Sequence, residues 1–318
     1  MQKNWAGFSS LQIKCSFVRH SKSVRLIVRV MDEIVLVAIC ALFYFAIKIT
    51  DSKPNKVQYY FKWYSYYLYA FLVTTIMSFV LVWRGRSTRN LPIIMKWLRP
   101  MTRFHGMTWH LENVEVMDTC GKAVIISNHQ SSLDLLGLFH ASPYVKLWIP
   151  TAKKELLYMG TIGLISYLIG TIFINRRNPK DAYTKLNNAV EIMKKNEMKM
   201  WVFPEGTRNI HKNMKLLPFK KGAFTVAVTT ESPIIPVVFS PYYFAREDKP
   251  IFENGGHVIM RCLEPVPTKG LTMDDIPALT ERLHKIVSNA YEELSKEVLY
   301  RFSVAGHSIT GGDGEFVE

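Results

Sequence analysis

The sequence predicts an α/β domain with a mostly parallel or mixed sheet flanked by helices, preceded by an N-terminal transmembrane or membrane-embedded helical hairpin. Three observations predict it. From about residue 110, short β-rich apolar runs alternate with helical stretches, the pattern of a layered α/β fold. Two uncharged apolar segments come before that point. The chain is also basic, with Lys+Arg 40 against Asp+Glu 26 and a net charge of +14, and Lys3, Lys14, Arg19, Lys22, Arg25 and Arg29 all precede the first acid, Asp32. Such a balance suits an anionic membrane surface, an anionic small substrate or nucleic acid. No nucleic-acid motif is present, so no nucleic-acid partner is expected.

The first apolar segment, about 34–49, is short for a full span, but flanking lysines extend it by snorkelling. Pro54 marks the turn that follows. The second, about 63–83, is uncharged and long enough to cross the hydrocarbon core. Tyr59, Tyr60, Trp63, Tyr64 and Trp83 sit at its ends as an aromatic belt does. Arg84, Arg86 and Arg89 follow at once, and the loop between the segments holds Lys53, Lys56 and Lys62. The basic outer flanks favour a hairpin with both outer ends cytosolic. A hairpin dipping into one leaflet is the alternative. No small-residue cleavage site follows the first apolar run, so no removed signal peptide is expected. The expected organisation is a basic N-terminus and hairpin over 1–90, a globular domain over 91–303 and a flexible tail over 304–318.

Within the globular part the predicted strands lie near 109–116, 123–127, 145–150, 171–175, 198–203, 234–240 and 257–263. Predicted helices lie near 131–140, 181–195, 221–230 and 278–302. The stretch 158–174 is long and uncharged but divided by Gly160, Gly163 and Gly170. It reads as a core or membrane-interface segment, with a third span as the alternative. Cys15, Cys40, Cys120 and Cys262 are scattered without a CxxC pair, so neither a zinc site nor a disulfide framework is indicated.

The chemistry sits at strand ends. The run Val124-Ile125-Ile126-Ser127-Asn128-His129 is a strand that breaks at polar residues, and Asp134 follows five positions after His129. Histidine exchanges a proton near neutral pH, and an aspartate beside it fixes its tautomer. On a continuous helix these side chains would point about 140° apart. They meet only if His129 lies in the turn and Asp134 on the first helical turn, with Ser127 or Asn128 as N-cap. Alone the pair is a weak signal, because buried histidines bonded to neighbours are common. Other strand ends give it company. Phe203-Pro204-Glu205-Gly206-Thr207-Arg208 offers a glycine for close backbone approach and a guanidinium fork for phosphate. In the same run Glu205 is placed to accept from a hydroxylated substrate or to hold Arg208. Arg176 ends the 171–175 strand, and Lys153 follows another. In a parallel sheet these ends gather on one edge, joining a base to several cations. No GxSxG elbow favours a serine hydrolase, and no i, i+4 histidine pair forms a zinc helix.

Asn128-His129-x4-Asp134, Gly170-x2-Phe173-Ile174-x-Arg176, Phe203-Pro204-Glu205-Gly206-Thr207-Arg208 and Ile234-Ile235-Pro236-Val237 stand in the order of the four blocks of the glycerolipid acyltransferase family. The resemblance spans roughly 91–266 and extends to Lys153-Lys154-Glu155-Leu156 and to Leu217-Pro218-Phe219-Lys220-Lys221-Gly222. More narrowly, the chain resembles the animal 1-acylglycerol-3-phosphate acyltransferases of the alpha/beta type. Asn175 stands where many relatives have Asp. The resemblance implies transfer of an acyl chain from acyl-CoA to the sn-2 hydroxyl of lysophosphatidic acid, giving phosphatidic acid. It implies His129 as general base oriented by Asp134. Arg208 and Arg176, with Lys153, would hold the phosphate; Glu205, Gly206 and Thr207 would line the acceptor site. Acyl-CoA is a co-substrate, and no bound cofactor or metal is expected. The expected setting is the bilayer of the endoplasmic reticulum, multi-pass, with the catalytic domain on the cytosolic face. Alternatives are a related enzyme for glycerol 3-phosphate or another lysophospholipid, or a non-catalytic phosphatidic-acid-binding protein. Oligomeric state is not legible.

Overall fold

The computed structural model describes residues 55–175, 179–209, 215–246 and 250–303. The expected first hairpin segment at 34–49, Arg176 and the tail 304–318 lie outside the described residues.

Nine strands are present among the described residues: β1 (Met107–Glu112), β2 (Val124–Ser127), β3 (Trp148–Lys153), β4 (Ile172–Ile174), β5 (Lys199–Val202), β6 (Ile234–Phe239), β7 (Ala245–Arg246), β8 (Ile251–Phe252) and β9 (Gly256–Cys262). Seven form one sheet in the order β1-β9-β6-β2-β5-β3-β4, and β7 and β8 form a small hairpin. β6, β2, β5, β3 and β4 pair in parallel. β9 runs antiparallel to β6, and β1 runs parallel to β9. The sheet is therefore mixed, and the carboxyl ends of its five parallel strands share one edge.

Among the described residues the helices are α1 (Lys56–Val82), α2 (Leu91–Leu98), α3 (Met101–Phe104), α4 (Asp134–Val145), α5 (Gly160–Leu168), α6 (Pro179–Asn196), α7 (Gly222–Thr229) and α8 (Ile276–Ser303). They cover both faces of the sheet. Ile125 of β2 and Ile235, Val237 and Phe239 of β6 join a core with α1, α2, α4 and α5. Val124, Ile126, Ile234 and Val238 join a second core with α6, α7 and α8. This is the period-2 alternation of a strand buried on both sides. Each such aliphatic side chain contributes roughly 1.5–3 kcal/mol by leaving water.

α1 starts at Asn55, whose side chain accepts from Gln58 N at 2.9 Å. Its 27 residues extend about 40 Å, and it is long and apolar enough to cross a membrane. One stripe, including Gln58, Lys62, Tyr66, Met77 and Leu81, is buried against the domain. Lys62 Nζ donates to Glu253 O at 2.9 Å, and Thr75 Oγ1 donates to Thr161 Oγ1 of α5 at 3.1 Å. The opposite face exposes Tyr64, Leu68, Phe71, Leu72, Ile76 and Phe79. The described residues between 55 and 303 fall in one compact unit that includes this helix.

Some expected boundaries moved. The strand predicted over 109–116 stops at Glu112, because Asn113 adopts φ 55 and a 3-10 turn, Val114–Asp118, follows. The helix predicted at 131–140 runs from Asp134 to Val145. The stretch 158–174 is no span: α5 has nine residues, too few to cross a bilayer, and Gly170 at φ 82 turns the chain into β4. Close packing on Thr88, 2.8 Å from where a Cβ would sit, also demands glycine there. α2, α3 and the β7–β8 hairpin were not anticipated.

Candidate active site

The site is built on the edge where β2, β5 and β6 end. Ile126 is level with Val202 of β5 and Pro236 of β6. Trp201 Nε1 donates to Ser127 Oγ at 2.8 Å. Asn128 then replaces backbone pairing with its side chain. Its Nδ2 donates to Phe239 O at 3.0 Å, and its Oδ1 accepts from Phe239 N at 2.9 Å. Ser127 and Asn128 thus tie strands together, and neither caps α4 as expected. The next backbone groups are free to turn away from the sheet.

His129 is held at four points. Its N–H donates to Glu205 Oε1 at 2.7 Å, and its carbonyl accepts from Asn209 N at 2.7 Å. Its ring stacks on Phe203 with centroids 4.1 Å apart. Nδ1 lies 2.6 Å from Asp134 Oδ2, with the histidine side chain 20% exposed and the aspartate fully buried. A carboxylate accepts, so Nδ1 carries the proton and Nε2 presents a lone pair. This is the arrangement predicted from the spacing: His129 in the turn and Asp134 at the first residue of α4.

Asp134 has four donors. Oδ2 also accepts from Gln130 N at 2.7 Å and Ser131 N at 3.2 Å. Oδ1 accepts from the Tyr242 hydroxyl at 2.6 Å. Tyr291 of α8 donates to Gln130 Oε1 at 3.1 Å, and Tyr66 of α1 donates to Ser132 O at 2.9 Å. The tyrosines were missed by sequence reasoning. They lie 66 to 161 positions from the residues they bond, and no local pattern marks them.

Glu205 departs from expectation. It was expected to accept from a substrate or to hold Arg208. Instead it is 2% exposed, and its two carboxylate oxygens take backbone donors, His129 N and Leu217 N, the latter at 3.0 Å. Burial raises its pKa, partly offset by those two donors. Gly206 sits at φ 71, and a Cβ there would meet the Lys220 side chain at 2.9 Å. Thr207 and Arg208 are exposed, and among the described residues Arg208 makes no ion pair. Lys153 is exposed at the end of β3, level with Ile174 of β4. The parallel pairing brings Lys153, His129 and the 205–208 turn to one sheet edge, the position at which α/β sheets bind ligands. Among the described residues no group of three His, Cys, Asp or Glu side chains is arranged to hold a metal ion.

The chain matches the profile of the family described as Acyltransferase over residues 109–240. It is 37% identical over 254 residues to human 1-acyl-sn-glycerol-3-phosphate acyltransferase beta, covering 79% of this chain and 90% of that protein. It belongs to the acyltransferase family. This acyltransferase is also 35% identical to human 1-acyl-sn-glycerol-3-phosphate acyltransferase alpha, over 76% of its own length and 83% of the relative's. Its fold is similar to the crystal structure of the 1-acyl-sn-glycerophosphate (LPA) acyltransferase PlsC from Thermotoga maritima. The TM-score is 0.58 at 23% identity, covering 75% of this chain and 97% of that one. The family match begins at Trp109 in β1 and ends at Ser240, just after β6, so it encloses the ends of β2, β5 and β6 on which the site is built.

Proposed function

We propose that this acyltransferase transfers the acyl chain of acyl-CoA to the sn-2 hydroxyl of lysophosphatidic acid, forming phosphatidic acid. The observation that carries the chemistry is the 2.6 Å contact between His129 Nδ1 and Asp134, which leaves Nε2 as a base at the open edge of the sheet. The names of the relatives, which specify 1-acyl-sn-glycerol 3-phosphate, support the acceptor. In the step, Nε2 takes the hydroxyl proton as the oxygen attacks the thioester carbonyl. The C–S bond then breaks, and the CoA thiolate recovers the proton from the imidazolium. Asp134 stabilises the imidazolium while it exists. Atoms balance with acyl-CoA as co-substrate and without a bound cofactor.

Arg208 is the cation for the acceptor phosphate, with Lys153 exposed on the same sheet edge. Arg176, outside the described residues, is the further cation that the sequence offers. Gly206 and Thr207 border that space. Glu205 shapes it from beneath by holding the backbones of His129 and Leu217. The apolar outer face of α1 supports membrane association, since both substrates carry acyl chains. Residence in the endoplasmic reticulum with the site on the cytosolic face, where acyl-CoA is made available, belongs to the same proposal.

The test is product formation by detergent-purified protein given oleoyl-CoA and, separately, lysophosphatidic acid, glycerol 3-phosphate or lysophosphatidylcholine. Phosphatidic acid from the first alone is expected, with His129→Ala slower by 10²–10⁴-fold, on the order expected for a lost general base. Preference for another acceptor would keep the mechanism and change the substrate. No product dependent on His129 from any acceptor would sink the proposal.

A further inference from the structure

We propose that Tyr242 is a positioning residue for acyl transfer: its hydroxyl holds the Asp134 carboxylate and limits how basic that carboxylate makes His129. The inference rests on His129 being the general base. It starts from the uneven loading of Asp134. Oδ2 is shared by His129 Nδ1, Gln130 N and Ser131 N. Oδ1 has one donor among the described residues, the Tyr242 hydroxyl at 2.6 Å. Asp134 is fully buried, so water does not substitute for that donor.

Tyr242 is delivered by a segment tied down at residues 240, 243 and 244. Ser240 N donates to Ile259 O, and Ser240 Oγ accepts from Ile259 N at 3.0 Å. Gln130 Nε2 donates to Ser240 O at 3.1 Å. Tyr243 Oη donates to Ser295 O of α8 at 3.2 Å. Phe244 lies so close to Gly256 that a Cβ there would meet its ring at 2.5 Å. The Tyr242 ring itself packs edge-on to Trp109, with centroids 6.2 Å apart. The hydroxyl is thus held where it is independently of Asp134. A loosely held tyrosine would follow the carboxylate; this one constrains it.

The electrostatic consequence has a definite sign. A hydrogen bond donated to a carboxylate offsets part of its charge. Without it, Asp134 stabilises the imidazolium more strongly, so His129 becomes the stronger base. The neutral ring is the active base, so the acid limb of the rate profile moves to higher pH. Burial and the Asp134 charge hold the Tyr242 phenol well above its ordinary range, so it remains a donor throughout. The other titratable or charged groups around the pair are Glu205 and Arg208 from the turn after β5, Tyr66 from α1 and Tyr291 from α8. Tyr67 of α1 bonds to the Ser132 hydroxyl, Tyr66 and Glu205 bond to backbone groups, and Tyr291 bonds to Gln130; none of these bonds reaches Oδ1, so a change at Tyr242 reads out on the dyad.

The experiment uses the full chain in detergent micelles with ¹³C-labelled histidine. His129 is identified by its loss in His129→Gln, and its titration midpoint is measured by NMR alongside the pH dependence of kcat/KM. Three proteins are compared: wild type, Tyr242→Phe and the protein with 3-fluorotyrosine introduced at position 242. Tyr242→Phe is expected to raise the midpoint by about half to one unit, a three- to tenfold gain in basicity. The acid limb should move with it, and KM for both substrates should stay within twofold. The more acidic fluorophenol is a stronger donor and should move both quantities the opposite way. Midpoints that do not move in either variant overturn the proposal. So does a uniform loss of rate at every pH, which a merely structural tyrosine would give. If the rate limb does not track the His129 midpoint even in wild type, the reading of His129 as base fails instead. The NMR midpoints still decide the effect of Tyr242.

Discussion

At the scale of single residues, the candidate site separates a partly exposed histidine from the buried groups that hold it. His129 engages Asp134 through Nδ1 and keeps its side chain 20% exposed, while Asp134 and Glu205 are buried and accept from protein donors on both oxygens. Glu205 binds two backbone N–H groups, one on each oxygen. Gln in its place turns one acceptor into a donor and sets it against an N–H. Hydrogen bonds to a charged acceptor contribute about 1.5–3 kcal/mol each. Glu205→Gln should therefore lower stability by about that amount and reduce kcat by roughly tenfold or more, since the His129 backbone is what moves. KM for lysophosphatidic acid should change little. Steady-state kinetics and thermal melts on the same preparation check both. A large rise in KM at unchanged kcat would show instead that Glu205 touches the acceptor. The carboxylate was legible in the sequence as a member of a strand-end cluster. Its direction was not, because a side chain at a turn can face either way until the facing loop, here Leu217, is in place.

At the scale of elements, α4 carries Asp134 and must not shift. Gly137 lets it approach the sheet: a Cβ there would meet the Trp109 ring at 2.6 Å and Phe239 at 2.8 Å. One turn on, His140 stacks on Trp109 with centroids 6.2 Å apart, and its Nε2 lies 3.1 Å from Thr102 Oγ1. Thr102 already donates to Arg99 O, so the neutral imidazole donates to it. Burial, reinforced by Arg99 and Arg103, lowers the pKa of His140 to about 4. The folded state therefore resists a proton that the unfolded chain accepts near pH 6.5. The stability tied to this histidine is complete above pH 6.5 and is lost as pH falls toward 4. His140→Gln should lose less stability than wild type across that window. Thermal melts at pH 7 and pH 4.5 test this, and parallel losses would refute it. The alternation of apolar runs revealed this helix in the sequence, but three residues early. The turn after β2 is stabilised by Asp134 accepting from Gln130 and Ser131, a tie that local propensity does not register.

At the scale of the molecule, the apolar outer face of α1 and the His129 turn belong to one body. Tyr66 and Tyr67 on α1 bond to Ser132, three residues beyond His129. The outer face displays Leu68, Phe71, Leu72, Ile76 and Phe79. Buried apolar area gains roughly 25 cal/mol per Å², so this face is suited to a bilayer surface. Phe71→Ser with Phe79→Ser should leave turnover on micellar, short-chain lysophosphatidic acid unchanged. The same protein should lose several-fold in rate when the acceptor is presented in vesicles. Equal rates in both assays would remove α1 from substrate delivery.

The sequence by itself determined the α/β class, six of the seven main strands to within about three residues, and the pairing of His129 with Asp134. Periodicity and short-range spacing encode these, because they depend on neighbours along the chain. Only the tertiary structure decided that Glu205 faces inward, that Asn128 bridges β2 to β6, that α1 packs along the domain, and that Tyr242, 108 residues from Asp134, completes its carboxylate. Each of these depends on which segments meet across the sheet. A side chain's hydrogen-bond partner is set by that meeting, and the local sequence carries no record of it.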